Sequence, residues 1–361
     1  MNRKKVLYFV EAFGGGVFTY ICNLANELCQ YYDIYIAYGT RKQTPKNLNK
    51  YFNKDIHLIK VKNYQREVSF IKDVAAYKEM QQIMTEVKPD IVHLNSSKSG
   101  ILGRWLLKNN KVPVFYTPHG YSFLMTNIDK KKKFFYKTLE KIFAFKNVKT
   151  IACSKSEYEI TKQLTNNATY VDNGINLKEF SGLVIKDNSN LHSNNLKVVT
   201  IGRISVQKNP QLFNQIAISF PDIKFIWVGD GDLKTQLTAP NITITGLVNT
   251  TTALSYLNEA NIFVMTSLWE GLPMALLEAM YMKKICIVSN VVGNKDVIHN
   301  EENGYTYNNL NEFIEKVNSL KDNDDLQKIV NCAHDQVVKH YNSKNMALEY
   351  KKIYDDALQS K

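Results

Sequence analysis

The sequence predicts an α/β protein built from two doubly wound parallel sheets. Three observations carry that prediction. The chain has 361 residues, more than one hydrophobic core ordinarily serves, so two domains are expected. Short apolar runs rich in Val, Ile and aromatic residues alternate with longer amphipathic stretches in both halves. That alternation is the pattern of parallel strands covered by helices on both faces. A polar, turn-rich stretch at residues 181–195 (SGLVIKDNSNLHSNN) separates the two series.

The elements follow in order. Residues 6–10 form an apolar strand that runs into Glu11 and then Gly14-Gly15-Gly16, and an amphipathic helix covers about 17–30. Strands at 34–38 and 56–61 precede a helix over about 69–87. That helix stops before Pro89, because the residue before a proline is pushed out of the α region. A strand at 90–94, a helix at 99–108 and strands at 114–117 and 151–154 lead to a helix from Ser156, with Glu157 and Glu159 favourably placed in its first turn. The second series has strands at 197–201, 224–228, 242–245, 262–266 and 285–289. Helices are expected at about 210–220, 232–237, 251–259 and 273–281, with a helical tail from 324 to 358. The expected domains are 1–172, a linker over 173–195, a second domain over 196–340, and a closing helix over 341–361 that crosses back to the first.

Composition excludes several classes. No apolar run approaches the ~20 residues of a membrane span. The basic start MNRKKVLYFV ends at Glu11 and a glycine loop without a cleavage-type site, so it reads as a strand and not a signal peptide, and the expected location is cytoplasmic. Cys22, Cys29, Cys153, Cys286 and Cys332 form no CxxC and no metal-spaced cluster, so they are expected as buried, reduced thiols. The net charge of +12 is uneven. Residues 1–180 hold 29 Lys and Arg against 15 Asp and Glu (+14), whereas residues 181–361 hold 17 against 19 (−2). The first half is thus the one with an electrostatic reason to meet an anionic partner.

The most informative stretch is IFVMTSLWEGLPMALLEAM, residues 262–280. It reads as a buried strand, a polar loop, and a helix in which Pro273 suits the first position. Glu270 and Gly271 sit beside a helix start, where unpaired amides and partial positive charge suit a phosphate or a sugar oxygen. Glu278, two turns on, can accept hydrogen bonds from ribose hydroxyls. Gly202-Arg203 ends the first strand of the second half, and Lys208 follows in GRISVQKNP; two fixed cations in such a crevice can neutralise a diphosphate without a metal. Gly14–Gly16 let the backbone approach a bulky anion, although the run is not GxGxxG. Asp230-Gly231-Asp232 is a literal DxD, but it lies between a strand and a helix, where Asp232 is more simply an N-cap. His119-Gly120 ends a strand, and the histidine could donate to a sugar hydroxyl or a phosphate; His93 and Asn95 are weaker candidates of the same kind. Residues 129–149 carry eight lysines against Asp129 and Glu140, with five interleaved aromatics. Phe134, Phe135, Phe143 and Phe145, with Leu139 and Ile142, can form one helix face, which suits an anionic membrane or a lipid diphosphate. No recognised nucleic-acid module surrounds this segment.

These segments, in this order, resemble the retaining family-4 glycosyltransferases of the GT-B fold. Glu270 and Glu278 match the family's E-x7-E signature in WEGLPMALLEAM. GRISVQKN is similar to its G-R-x(n)-K-N segment, and Gly14–Gly16 to its N-terminal glycine loop. SKSE (154–157) and DNGIN (172–176) resemble its interdomain segment. HLNSSKSGILGRW…PVFYTPHGYSF (93–123) resembles enzymes of capsule, exopolysaccharide and O-antigen assembly. Asp296 stands where the family more often has Glu, and it is assigned no role.

The resemblance implies two Rossmann-like domains facing across a cleft. It implies that Arg203 and Lys208, beside Gly202, hold the nucleotide diphosphate. Glu270 with Gly271, Leu272, Pro273 and Met274 would hold the donor sugar, and Glu278 the ribose. Gly246, Leu247 and Val248 would contact the base, Gly15 and Gly16 would close over the phosphates, and His119 would bind the donor sugar or the acceptor. The C-terminal helices, through Tyr354, would cross back to the first domain. The implied reaction moves a sugar, from a UDP-sugar by the capsule-type resemblance, to a polyprenyl-diphosphate-linked saccharide with retention. It needs no metal or other cofactor, and the leaving diphosphate takes the acceptor proton. Lys130, Lys131, Lys132, Lys133, Phe134 and Phe135 would face the acceptor and the anionic inner face of the cytoplasmic membrane. The alternative is a non-catalytic GT-B-fold partner that binds glycan or stabilises another transferase. A dinucleotide-dependent enzyme is disfavoured by the missing GxGxxG.

Overall fold

The structure, a computed structural model, describes residues 3–65, 69–145, 147–186, 196–320 and 323–360. It divides into two compact units. Unit 1 comprises Met1–Leu124, Ile128–Gly174 and Ser343–Lys361, and unit 2 comprises Met125–Asn127 and Ile175–Asn342. Residues 187–195 of the expected linker, and Lys361 of the expected closing helix, lie outside the described residues.

Unit 1 runs β1 (Lys5–Phe13), α1 (Gly15–Leu28), β2 (Asp33–Thr40), β3 (His57–Lys60), α2 (Phe70–Val87), β4 (Ile91–Asn95), α3 (Ser97–Leu106), β5 (Val114–Thr117), α4 (Lys130–Ile142), β6 (Val148–Ala152), α5 (Lys155–Lys162) and β7 (Ala168–Tyr170). The strands are parallel in the order β3-β2-β1-β4-β5-β6-β7. The central strands are largely apolar because helices cover both faces: Val6, Leu7, Tyr8, Phe9 and Val10 of β1 are all fully buried, and polar exceptions such as His93 and Asn95 of β4 are buried too.

Unit 2 runs β8 (Lys197–Ile201), α6 (Pro210–Ser219), β9 (Lys224–Val228), β10 (Ile242–Ile244), α7 (Thr250–Glu259), β11 (Ile262–Met265), α8 (Met274–Tyr281), β12 (Ile285–Ser289), α9 (Asn294–Val297), β13 (Tyr305–Tyr307), α10 (Leu310–Ser319) and α11 (Leu326–Lys339). Its parallel sheet has the order β10-β9-β8-β11-β12-β13. In both sheets the order of strand addition therefore reverses between the first and fourth strands, β1 and β4 in one and β8 and β11 in the other. In doubly wound folds the ligand crevice lies outside the carboxyl ends of the strands at that reversal.

The last helix, α12 (Ser343–Gln359), belongs to unit 1. A phenol and imidazole network fixes it there. Tyr20 donates to Tyr350 Oη at 2.6 Å, Tyr8 and Tyr354 share a hydrogen bond at 3.2 Å, and His93 joins Tyr354 Oη through Nδ1 at 2.6 Å. His93 Nε2 meets Thr117 Oγ1 at 2.8 Å. Burial holds His93 well below the usual imidazole range and pushes the Tyr8, Tyr20 and Tyr354 phenols up, so the network is neutral.

Several expectations shift. The first helix begins at Gly15, so two glycines form its opening turn with Gly14 as N-cap. The expected helix at 232–237 is only a 3-10 turn, Lys234–Gln236, and Asp232 caps nothing there: Leu233 precedes the turn. The expected strand at 151–154 is β6, and Ser154 instead caps α5 by accepting from the Glu157 amide. β7 (ATY) and β13 (YTY) lie outside the expected strands: each has three residues and lacks the isoleucine pair that marks the equally short β10 (ITI). The helical tail is two helices, separated at residues 340–342. Of the expected linker, residues 177–180 form a 3-10 turn that seats Phe180 in the core of unit 2 beside Tyr281, with ring centroids 4.6 Å apart. Four cysteines are buried, but Cys332 is exposed, because it lies off the apolar face of α11 formed by Ile329, Val330, Ala333 and Val337.

Candidate active site

In unit 2, β8 and β11 are neighbours at the sheet reversal. β8 delivers Gly202, whose φ of +152° and closeness to Lys208 favour glycine: a Cβ there would lie 3.1 Å from Lys208 Cε. The loop is laid on β9 by Gly202 N donating to Val228 O and Ile204 N to Asp230 O, each at 3.0 Å. A 3-10 turn, Val206–Lys208, then aims the lysine back across the crevice, and Asn209 in the left-handed region caps α6 with Pro210 at its first turn.

The loop after β11 meets it. Lys208 Nζ donates to Glu270 Oε1 at 2.7 Å, and Gln207 Nε2 donates to Glu270 Oε2 at 3.3 Å and to Trp269 O at 3.0 Å. Thr266 Oγ1 donates to Lys208 O at 2.6 Å, and Leu268 N to Gln207 O at 2.8 Å. The far side of Glu270 is fixed by its amide donating to Val292 O at 3.2 Å. Gly293 packs against this loop with φ +86°; a Cβ there would sit 2.4 Å from Gly271 O. Glu270 is buried, yet both carboxylate oxygens have donors, which is what a buried charge requires. Arg203 lies on the exposed part of the same loop.

Pro273 takes the N-cap of α8 and not its first helical position: its ψ of 120° is extended, and Met274 begins the helix. Glu278 lies on α8, partly exposed. Burial, and then the neighbouring Glu179 carboxylate, raise its pKa to about 7. Gly246 has φ +71° with open space where a Cβ would stand, and Leu247, 61% exposed, follows at the end of β10. The DGD segment has a packing explanation. A Cβ on Gly231 would lie 2.0 Å from Ile204 O, and Asp230 Oδ1 accepts from the Gly231 amide at 2.8 Å. Among the described residues, no three His, Cys, Asp or Glu side chains are gathered where they could hold a metal ion.

Unit 1 has its own cluster at the ends of β1, β4 and β5. Gly15 (φ +56°) and Gly16 are exposed at the start of α1, with nothing within 4 Å of where a Cβ would stand. His119, with φ +55°, is partly exposed, and its Nε2 meets Asn95 Oδ1 at 2.9 Å. The turn is anchored behind it by the buried Glu157, which accepts from Gly120 N at 2.7 Å and Cys153 N at 2.8 Å. The Tyr20 ring packs edge-on at 4.5 Å between centroids. Desolvation lowers the pKa of His119 to about 3, so the ring is neutral. His93, expected beside it as a ligand-facing candidate, is instead fully buried in the α12 network.

The basic helix α4 is capped by Asp129, which accepts from Lys132 N at 2.7 Å. It is pinned by Glu140, buried, which accepts from Arg104 at 2.7 Å and from Tyr116 Oη at 3.0 Å; the guanidinium lies 4.2 Å over the Tyr116 ring. Lys130, Lys131 and Lys132 are exposed and Lys133 is partly so. The expected single aromatic face is split. Leu139, Phe143 and Phe145 are partly buried, whereas Phe134, Phe135 and Ile142 are 74%, 57% and 60% exposed. Trp105 of α3, also exposed, stands 6.0 Å from Phe143.

Gln207, Asn95, Glu157, Glu179 and Gly293 act as supports that the motifs did not single out in these roles. In the sequence Gln207 lies inside GRISVQKN, Asn95 reads as a weaker ligand candidate and Glu157 as a first-turn residue inside SKSE, but none of them as a support; Glu179 and Gly293 carry no signal.

Two family models match the chain: Glycosyltransferase Family 4 over residues 14–179 and Glycosyl transferases group 1 over residues 195–323. An Escherichia coli UDP-Gal:alpha-D-GlcNAc-diphosphoundecaprenol alpha-1,3-galactosyltransferase is 31% identical over 343 residues, covering 87% of each chain. The chain belongs to the family-4 glycosyltransferases. The Staphylococcus aureus capsular polysaccharide biosynthesis glycosyltransferase CapM is 24% identical to this glycosyltransferase, covering 79% of this chain and 80% of that one. Among solved structures, sucrose-phosphate synthase from Thermosynechococcus elongatus matches 99% of this glycosyltransferase and all of that chain at TM-score 0.86 and 16% identity. Anabaena Alr3699/HepE, in complex with UDP and glucose, matches 98% and 100% at TM-score 0.78 and 15% identity. The fold of this glycosyltransferase is GT-B.

Proposed function

We propose that this glycosyltransferase moves galactose from UDP-galactose to a polyprenyl-diphosphate-linked N-acetylglucosamine in cell-surface polysaccharide synthesis. Transfer proceeds with retention and without metal. The chemistry rests on one observation: Lys208 and Glu270 paired at the reversal of the unit 2 sheet, with Arg203 on the same loop. The choice of sugar and acceptor rests on the printed name of the E. coli relative.

In this reading Arg203 and Lys208 hold the diphosphate and stabilise the charge that develops as the C1–O bond breaks. Glu270 has its carboxylate engaged by Lys208 and Gln207, which suits holding sugar hydroxyls better than attacking C1. The acceptor oxygen bonds to C1 on the face the diphosphate leaves, and the acceptor proton passes to a diphosphate oxygen. Glu278 accepts from ribose hydroxyls, and the amides at Gly246, Leu247 and Val248 meet the base. Gly15 and Gly16 meet phosphate oxygens. No helix among the described residues is long and apolar enough to cross a membrane; the exposed lysines and phenylalanines of α4 hold the enzyme to an anionic surface.

The test is transfer of labelled galactose to a synthetic N-acetylglucosaminyl-diphosphate lipid, with the anomeric configuration of the product read by NMR. An α-linked product formed in excess EDTA is expected. A β-linked product overturns retention, and activity lost in EDTA and restored by Mn²⁺ overturns metal independence.

A further inference from the structure

His119 has one ring nitrogen already spoken for. Asn95 Nδ2 donates to His93 O at 3.2 Å, which turns Asn95 Oδ1 toward His119 Nε2, 2.9 Å away. An amide oxygen only accepts hydrogen bonds, so the proton of the neutral imidazole must sit on Nε2. Nδ1 then carries the lone pair, and among the described residues it makes no hydrogen bond in the structure.

The backbone supports that orientation. His119 is in the left-handed region, φ +55°, where a non-glycine residue persists only if its surroundings hold it. Glu157 takes the next amide, Gly120 N, at 2.7 Å, and the Tyr20 ring closes one flank.

We propose that Asn95 is a positioning residue that sets His119 as the Nε2–H tautomer, so that the ring meets its ligand only as an acceptor through Nδ1 and engages a sugar hydroxyl, not a phosphate oxygen. A phosphate oxygen needs a donor or a cation, and this ring offers neither on its open side. The hydroxyl belongs to the donor sugar or to the acceptor sugar, and this part of the inference rests on the transferase reading above; the tautomer does not.

The experiment uses the full chain labelled with ¹⁵N in its histidines, with His119 assigned by its absence in His119→Gln. The free protein should show protonated Nε2 and unprotonated Nδ1 for His119. Asn95→Ala should mix the tautomers and lower kcat/KM about tenfold, the scale of one hydrogen bond. Asn95→Asp, which keeps the acceptor, should restore both. A proton on Nδ1 in the wild type, or an unchanged His119 spectrum in Asn95→Ala, overturns the role of Asn95. The ligand arms are UDP-galactose, the N-acetylglucosaminyl-diphosphate lipid, and inorganic diphosphate. A shift of Nδ1 with one of the two sugars and none with diphosphate is expected, and the sugar that causes it names the source of the hydroxyl. A shift with diphosphate, or none with either sugar while transfer proceeds, overturns the hydroxyl contact. Absence of any transfer is failure of the broader reading, and the tautomer result still stands or falls by itself.

Discussion

At the ends of β4 and β5, unit 1 presents uncharged side chains, Asn95, His119 and Tyr20, backed by His93, Tyr350 and Tyr354, and its charges, Glu157 under the turn and Glu11 paired with Arg41, are engaged behind them. At the equivalent ends of β8 and β11, unit 2 gathers charged ones: Arg203, and Lys208 against Glu270. The two sheets share one winding order, so topology fixed the place and not the chemistry. Net charge misleads about which half is ionic where it matters. The half with an excess of +14 spreads its lysines over its surface, the exposed face of α4 included, and keeps its buried Arg104–Glu140 pair for packing, while the nearly balanced half brings one cation and one anion to 2.7 Å at the sheet reversal. Local pairing outweighs the sum, because a part-buried pair is screened by solvent far less than surface charge.

The comparison can be broken first at a fully buried ion pair of unit 1, Arg104–Glu140. Glu140→Ala leaves the guanidinium buried without its carboxylate, and a loss of about 3–5 kcal/mol is expected by urea unfolding. A loss under 1 kcal/mol would mean that the pair is as solvent-screened as the surface lysines. Next, Lys208→Ala should lower kcat about 100–1,000-fold with the fold intact by circular dichroism; near-wild-type turnover would remove the ionic centre from the chemistry.

A smaller effect is expected at Glu278. With a pKa of about 7, its carboxylate is lost as pH falls below neutrality, so UDP-sugar affinity should weaken there. Glu278→Gln should flatten that profile with affinity about tenfold lower at high pH. The sign for stability is opposite. Between the ordinary carboxylate range and about 7 the folded state holds the extra proton, so Glu278 makes the protein less stable as pH rises through that window, and Gln removes the decline. Thermal unfolding at several pH values checks it. The smallest change is at a single exposed lysine. Replacing Lys131 by Ala should cost about 1 kcal/mol of binding to anionic vesicles, read by co-sedimentation.

The fold was largely legible because its central strands are mostly apolar and its helices are punctuated by residues with one physical meaning. Pro89 and Pro210 mark a stop and a start in the places expected. The short edge strands β7 (ATY) and β13 (YTY) escaped because they lack the aliphatic pair that made the equally short β10 (ITI) visible. The 232–237 segment misled because Asp232 looks like an N-cap, whereas the chain there turns so that Gly231 can pass against Ile204. The charged groups of the site were legible from E-x7-E and GRISVQKN. The roles of their supports were not: Asn95 and Glu157 were marked as a weak ligand candidate and a first-turn acid, and Gln207 lay inside a motif, but the contacts of these three and of Gly293 join segments distant in sequence.

The return of α12 to unit 1 has a consequence for how the protein is made. Residues 175–342 are a continuous stretch, so unit 2 can finish its core while the ribosome is still working. Unit 1 cannot: Tyr8, Tyr20 and His93 wait for Tyr350 and Tyr354. The half synthesised first is completed last, and a fragment that ends at the boundary after Gly174 would leave those phenol partners missing from the middle of its sheet.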